Sequence, residues 1–133
     1  MTMTAKVFPS ADVDRIVGTN CLKDEYQRFR GEGLSREQLA ELVQIGAADP
    51  GEAQNDSPTI GEMMDDETLK AARFIGYVIY PPRNDARVSV EGFRVAGVSA
   101  DTALDLMTGY GNADEKEWSK RPDGLYDLRF WWD

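Results

Sequence analysis

The chain has 133 residues, of which 41% are hydrophobic and 29% charged, and this size and composition predict one folded domain rather than a disordered segment. It contains no histidine and a single cysteine, which excludes a histidine-dependent nucleophile, a histidine-ligated zinc site and an internal disulfide. The net charge of −9 disfavours direct binding to nucleic acid and to anionic membranes.

The first part of the chain, residues 1–46, is predicted to form three short helices, each with a polar start and a glycine stop. The first covers residues 10–18, with Ser10 as its cap. The second covers residues 20–31, with Leu22, Tyr26 and Phe29 on one side. The third covers residues 35–46 and is the clearest, because Ser35 begins a capping box.

Residues 47–57 are polar, contain a proline and a glycine, and predict an acidic loop. A fourth helix is expected to begin at Ser57, with Pro58 at its first position. The apolar face of this helix is predicted from Ile60, Met63 and the methionine that follows.

From residue 73 onward, aromatic and β-branched residues dominate and predict strands. We expect a hairpin from residues 74–80 and 88–95, with a bulge at Gly92. A helix over residues 99–109 follows, with Ser99 as its cap and with Ala103, Leu104 and Met107 as its buried stripe. Two further segments complete the chain, a polar loop over residues 112–124 and a half-buried strand over residues 125–132.

The order of elements is short helices followed by a β-β-α-β unit, which predicts an α+β fold with a small, mainly antiparallel sheet and helices packed on it. We expect one domain over residues 1–133, with a helical part (1–46), the acidic loop (47–57) and an α+β part (58–133). The lone cysteine, and the lack of a signal-type apolar stretch after Met1 to Ser10, predict a cytoplasmic protein.

Three groups of residues are candidates for binding. Residues 47–67 hold seven acids and no base, and Asp65, Asp66 and Glu67 form the densest part of that segment. Arginines spaced along the hairpin, with Arg73 before it, can bind a carboxylate or a phosphate, or can pair with the acidic segment of the same chain. Strand alternation places consecutive tryptophans on opposite faces of a sheet, so one of them faces solvent, a covering helix or a partner. The arginine and tryptophan candidates are Arg83, Arg87, Arg94, Trp131 and Trp132.

We favour a non-enzymatic, acidic protein-binding domain that acts as an inhibitor or accessory protein on a basic, nucleic-acid-handling partner, as some phage and plasmid counter-defence proteins do. The alternative is a small-ligand or nucleotide-binding module that uses the hairpin arginines and an exposed aromatic ring. A carboxylate-dependent enzyme would need two acids converging in one cleft, with Asp101 and Asp105, or Asp123 and Asp127, as candidates. We expect no metal, no cofactor and no membrane contact, and an exposed tryptophan leaves a homodimer open.

Overall fold

The computed structural model describes residues 7–133, which contain four helices, one 3-10 turn and five strands. The first six residues, on which the expectation of no secretory leader partly depends, lie outside the described residues. The helices are α1 (Ser10–Val17), α2 (Arg36–Gln44), α3 (Ile60–Asp65) and α4 (Ala100–Gly109), and a 3-10 turn (Glu67–Leu69) follows α3. The strands are β1 (Tyr26–Arg28), β2 (Arg73–Ile79), β3 (Arg87–Val98), β4 (Glu115–Lys120) and β5 (Tyr126–Trp131). The predicted α+β class is confirmed.

The five strands form one sheet in the order β1-β2-β3-β5-β4, and every neighbouring pair is antiparallel. The expected β-β-α-β unit corresponds to β2, β3, α4 and β5, which supply the three central strands. The strands β1 and β4 extend this unit by one strand at each edge.

The second predicted helix, over residues 20–31, is wrong. Part of this segment forms β1, which pairs with β2 at one edge of the sheet. The apolar residues assigned to a common helix face separate, because Leu22 is 92% exposed while Phe29 is buried in the core. Pairing with the edge of β2 supplies backbone hydrogen bonds, such as Phe29 N to Gly76 O at 3.0 Å, that a short isolated helix could not match.

The polar loop predicted over residues 112–124 is also wrong, because residues within it form β4 at the other edge of the sheet. All six residues of β4 are exposed, so this strand carries no alternation of apolar and polar residues from which it could be predicted. Charged side chains on an edge strand also hinder its pairing with another chain.

Smaller differences concern two helix starts. Pro9 occupies the N-cap position of α1, so that Ser10 is the first helical residue. Thr59, rather than Ser57, caps α3, and its side chain accepts a hydrogen bond from Glu62 N at 3.1 Å. The caps predicted for α2 and α4 are as expected, including the capping box that begins at Ser35.

The hydrophobic core lies between the helices and one face of the sheet. Phe74, Phe93 and Phe130 are directly opposite one another on β2, β3 and β5, and all three are fully buried. Each such side chain contributes about 1.5–3 kcal/mol by leaving water. The predicted bulge is displaced by one residue, because the register skips Glu91 between Gly92 and Val90.

The opposite side of the sheet is here called the open face. Residues that alternate with the core positions point to it, and among them Arg73 and Arg94 are exposed. The molecule therefore presents two chemically different surfaces, the outer side of the helical layer and the open face of the sheet.

Candidate functional site

The negative charge of the chain is concentrated in two segments, residues 47–67 and residues 99–112, which hold nine acids and no base. The other residues contain 15 acids and 15 bases, so the net charge of −9 belongs to these two segments. Within residues 7–133, only two of the nine carboxylates form ion pairs, Glu52 with Arg87 and Glu67 with Arg36. The exposed carboxylates of α3, the 3-10 turn and α4, here called the acidic face, are Glu62, Asp65, Glu67, Asp101 and Asp105.

Tertiary contacts join the two acidic segments. The hydroxyl of Tyr110, at the end of α4, donates a hydrogen bond to the carboxylate of Asp66. The side-chain amide of Asn112 donates to the backbone oxygen of Asp56 at 2.8 Å. The end of α4 therefore lies against the segment that contains α3 and the 3-10 turn.

The three acids predicted as the densest part of the segment have different roles. Asp66 caps the 3-10 turn by accepting a hydrogen bond from Thr68 N at 2.9 Å. Although its burial acts in the opposite direction, the hydrogen bonds from Thr68 and Tyr110 lower the pKa of Asp66 below its ordinary value. Asp65 and Glu67 are exposed to solvent, which leaves them accessible to a partner.

The outer side of α4 carries an apolar residue between two acids. Leu104, which the sequence pattern assigns to the buried stripe, is 67% exposed, while Ala103 and Leu106 are buried. Asp101 and Asp105 flank Leu104 on the same exposed side of the helix. The prediction for Leu104 is wrong because α4 packs against the core through Ala103 and Leu106, which turns Leu104 toward solvent.

The loop over residues 47–57 is held against one end of the open face. The hydroxyl of Ser89 donates a hydrogen bond to the carboxylate of Glu52, and Arg87 lies 3.8 Å from the same carboxylate. Burial raises the pKa of Glu52, while the Ser89 hydroxyl and the Arg87 charge act in the opposite direction. Glu52 thus stabilises the folded chain through these contacts and is less accessible to a partner than the exposed acids of the same segment.

The three hairpin arginines do not converge on one point. Arg83 forms a two-pronged ion pair with Asp85, at 2.9 and 2.6 Å. Arg87 contacts Asp85 at 3.3 Å and Tyr77 at 3.1 Å in addition to Glu52. Arg94 alone extends onto the exposed part of the open face.

Arg94 has two arginine neighbours on the sheet. Arg73 on β2 lies directly opposite Arg94, and Arg129 on β5 lies directly opposite it on the other side. Only the strand register shows that these three residues, from separate parts of the chain, form one row across the sheet. A groove of about 920 Å³ lies along this row.

The two consecutive tryptophans lie on opposite faces of the sheet, as alternation requires. Trp132 is 1% exposed and belongs to the core. Trp131 is half-buried on the open face, where the guanidinium groups of Arg28 and Arg129 lie 4.9 and 4.8 Å from its ring centroid. Its indole nitrogen donates to Asp133 at 2.8 Å.

The carboxylate pairs considered for catalysis do not converge in a cleft. Asp123 and Asp127 are both paired with Arg121, at 3.1 and 3.8 Å, and the other pair lies on the outer side of α4. Within residues 7–133, no group of three or more acidic or cysteine side chains is arranged to hold a metal ion. No helix in the same range is long and apolar enough to cross a membrane.

Comparisons of the chain with protein-family models, with curated proteins and with solved structures found no match.

Proposed function

We propose that the chain is a non-enzymatic protein-binding domain that uses its acidic face to occupy a basic surface on a partner. The observation that carries this proposal is the concentration of the whole net charge in two segments that Tyr110 and Asp66 hold together. The sequence separates these segments by some 30 residues, and the contacts of Tyr110 and Asn112 bring the C-terminal end of α4 against the other segment.

The acidic face has the composition of an interface. Leu104 supplies an apolar side chain that can be desolvated at the centre of a contact, and the carboxylates around it can pair with lysines or arginines of a partner. Complementary charge speeds association and selects against wrong partners more than it adds raw affinity. These properties suit an inhibitor or accessory protein that must find a basic target quickly.

A protein that handles nucleic acid is the partner class with the required charge, because phosphate-binding surfaces are rich in lysine and arginine. Occupying such a surface would block access of the nucleic acid to it. Proteins with which phages and plasmids counter host defence nucleases form one class of this kind, and we propose that class as the biological setting.

The test compares two charge variants of the full chain with equal net charge. The face variant combines Asp65→Asn, Asp101→Asn and Asp105→Asn, all exposed residues of the acidic face. The matched control combines Asp12→Asn, Glu25→Gln and Glu37→Gln, which are exposed elsewhere on the surface. Each immobilised protein is incubated with a bacterial lysate at low and at high salt, and retained proteins are identified by mass spectrometry.

We expect the wild type and the control to retain basic nucleic-acid-handling proteins at low salt and to release them at high salt, because salt screens exposed charges. The face variant should retain at least about tenfold less of these proteins than the control does, because it lacks three of the charges that attract a basic partner. Equal retention by the face variant and the control, or retention that salt does not affect, would contradict the proposal.

A further inference from the structure

A row of three arginines crosses the open face, independently of the acidic face. Arg73, Arg94 and Arg129 occupy directly opposed positions on β2, β3 and β5. Neighbouring strands lie about 4.8 Å apart, so three positive side chains rise from a stretch of roughly 10 Å. Like charges directly opposite one another destabilise a sheet, so this arrangement costs stability unless a counter-charge is supplied.

The three arginines differ in what neutralises them. Arg129 lies 3.5 Å from both Glu115 and Glu117 on β4. Arg73 and Arg94 are exposed, and neither forms an ion pair or a side-chain hydrogen bond with any residue from 7 to 133. The unneutralised charge of the row is therefore concentrated on one adjacent pair.

The groove beside this pair has room for a compact ligand. Ala71 and Ala96 contribute small side chains to its lining, so the two guanidinium groups are not covered by bulky neighbours. The acids that also line the groove are Glu32, Glu115, Glu117 and Asp127. These carboxylates confine the positive part of the groove to Arg73 and Arg94, so an anion can bind there only if it is compact enough to lie over that pair and away from the acids.

The chemistry of the pair favours phosphate. Each guanidinium presents a planar fork of N–H donors, and two adjacent forks can bind several oxygens of one tetrahedral group at once. The neighbouring Trp131 ring already carries the guanidinium groups of Arg28 and Arg129 close to its centroid. Its surface is thus occupied by cations, so the site recognises the anionic group and not a nucleobase stacked on the ring.

We infer that Arg73 and Arg94 form a binding site for a compact phosphate group, supplied by pyrophosphate or by a small phosphomonoester. Arg129 borders this site and neutralises part of the charge of Glu115 and Glu117, with which it forms ion pairs. The site lies on different residues from the acidic face, so each can fail without the other.

The test is titration calorimetry of the full chain with pyrophosphate, inorganic phosphate and ribose 5-phosphate as probes. Arg94→Gln and Arg73→Gln should each bind pyrophosphate at least about tenfold more weakly than the wild type, because each removes one charge-assisted fork. Arg83→Gln is the matched control, since Arg83 is exposed but held by Asp85, and it should bind like the wild type.

Thermal unfolding supplies a second measurement. Without phosphate, Arg94→Gln should be at least as stable as the wild type, because it relieves repulsion across the sheet. Adding pyrophosphate should stabilise the wild type and the Arg83→Gln control but not Arg94→Gln. Unchanged pyrophosphate affinity in Arg94→Gln, or no binding of any probe to the wild type, would overturn the inference.

Adenosine monophosphate, compared with ribose 5-phosphate, distinguishes the sources of the phosphate. Equal affinity for the two supports recognition of the phosphate alone. Much tighter binding of the nucleotide would show that the base is also bound, for example by the exposed Trp118 that lines the groove, and would contradict recognition of the phosphate alone.

Discussion

The hydrogen bond between Tyr110 and Asp66 is expected to stabilise the fold and to join the two acidic segments. Replacing Tyr110 by phenylalanine keeps the ring, whose centroid lies 5.0 Å from that of Phe93, and removes only the hydroxyl. A hydrogen bond to a charged group contributes about 1.5–3 kcal/mol. Because Asp66 is only half-buried, water can partly replace the hydroxyl, so we expect a loss of about 1 kcal/mol in the free energy of unfolding, or about 4 °C in Tm.

The assay is urea unfolding at neutral pH, followed by tryptophan fluorescence, for Tyr110→Phe, Asp66→Asn and the double variant. The coupling energy of this cycle isolates the contact from the bonds that Asp66 makes to Thr68. Tyr126→Phe is the control, since within residues 7–133 the Tyr126 hydroxyl has no hydrogen-bond partner, and its stability should match that of the wild type.

The effect should depend on pH in a defined direction. The pKa of Asp66 is lowered in the folded chain, so its contribution is complete above the unfolded value of about 3.9 and is lost as the pH falls through the folded value. The cost of Tyr110→Phe should therefore shrink in acid. Additivity of the two single variants within about 0.3 kcal/mol, or a cost that is the same in acid and at neutral pH, would refute the reasoning.

Two further predictions concern the sheet and the acidic loop. A Cβ added at Gly92 would lie 2.0 Å from the backbone oxygen of Phe130, so Gly92→Ala should lower the free energy of unfolding by about 3 kcal/mol or more. The control is Gly109→Ala, where nothing lies within 4 Å of the added Cβ, and it should leave the free energy of unfolding unchanged or raise it by up to ~1 kcal/mol. Circular dichroism during urea unfolding measures both variants, and a mild effect at Gly92 would contradict the close pairing of β3 with β5. Burial raises the pKa of Glu52 in the folded chain, so the free energy of unfolding should decrease as the pH rises from the ordinary pKa of a glutamate through the pKa of the folded chain. Glu52→Gln should make this decrease smaller in urea unfolding measured across that pH range. An unchanged dependence of stability on pH would show that Glu52 does not titrate in this way.

Local signals were sufficient where an element depends mainly on its own residues. The capping box at Ser35 and the cap at Ser99 mark the starts of α2 and α4, because a side chain there satisfies a backbone N–H of the same helix. The strands β2, β3 and β5 are rich in β-branched and aromatic residues, and they were predicted within a few residues of their bounds.

The two edge strands could not be predicted in this way. Strand β1 is only three residues long, and Phe29, which follows it, is buried by contact with β2 rather than by any periodic pattern. Strand β4 has no buried residue at all. Both strands form because the edges of the central strands supply backbone hydrogen-bond partners. The side chains of β1 and β4 themselves carry no pattern that predicts this pairing.

The features of the candidate sites likewise differ in whether the sequence alone could predict them. The sequence by itself determined the net charge and the absence of histidine chemistry, which follow from residue identity, and the separation of Trp131 from Trp132, which follows from the two-residue period of a strand. Only the tertiary structure decided which charges are neighbours. It joined the acidic segments through Tyr110, and strand register aligned Arg73 with Arg94, because both depend on contacts between residues far apart in the chain.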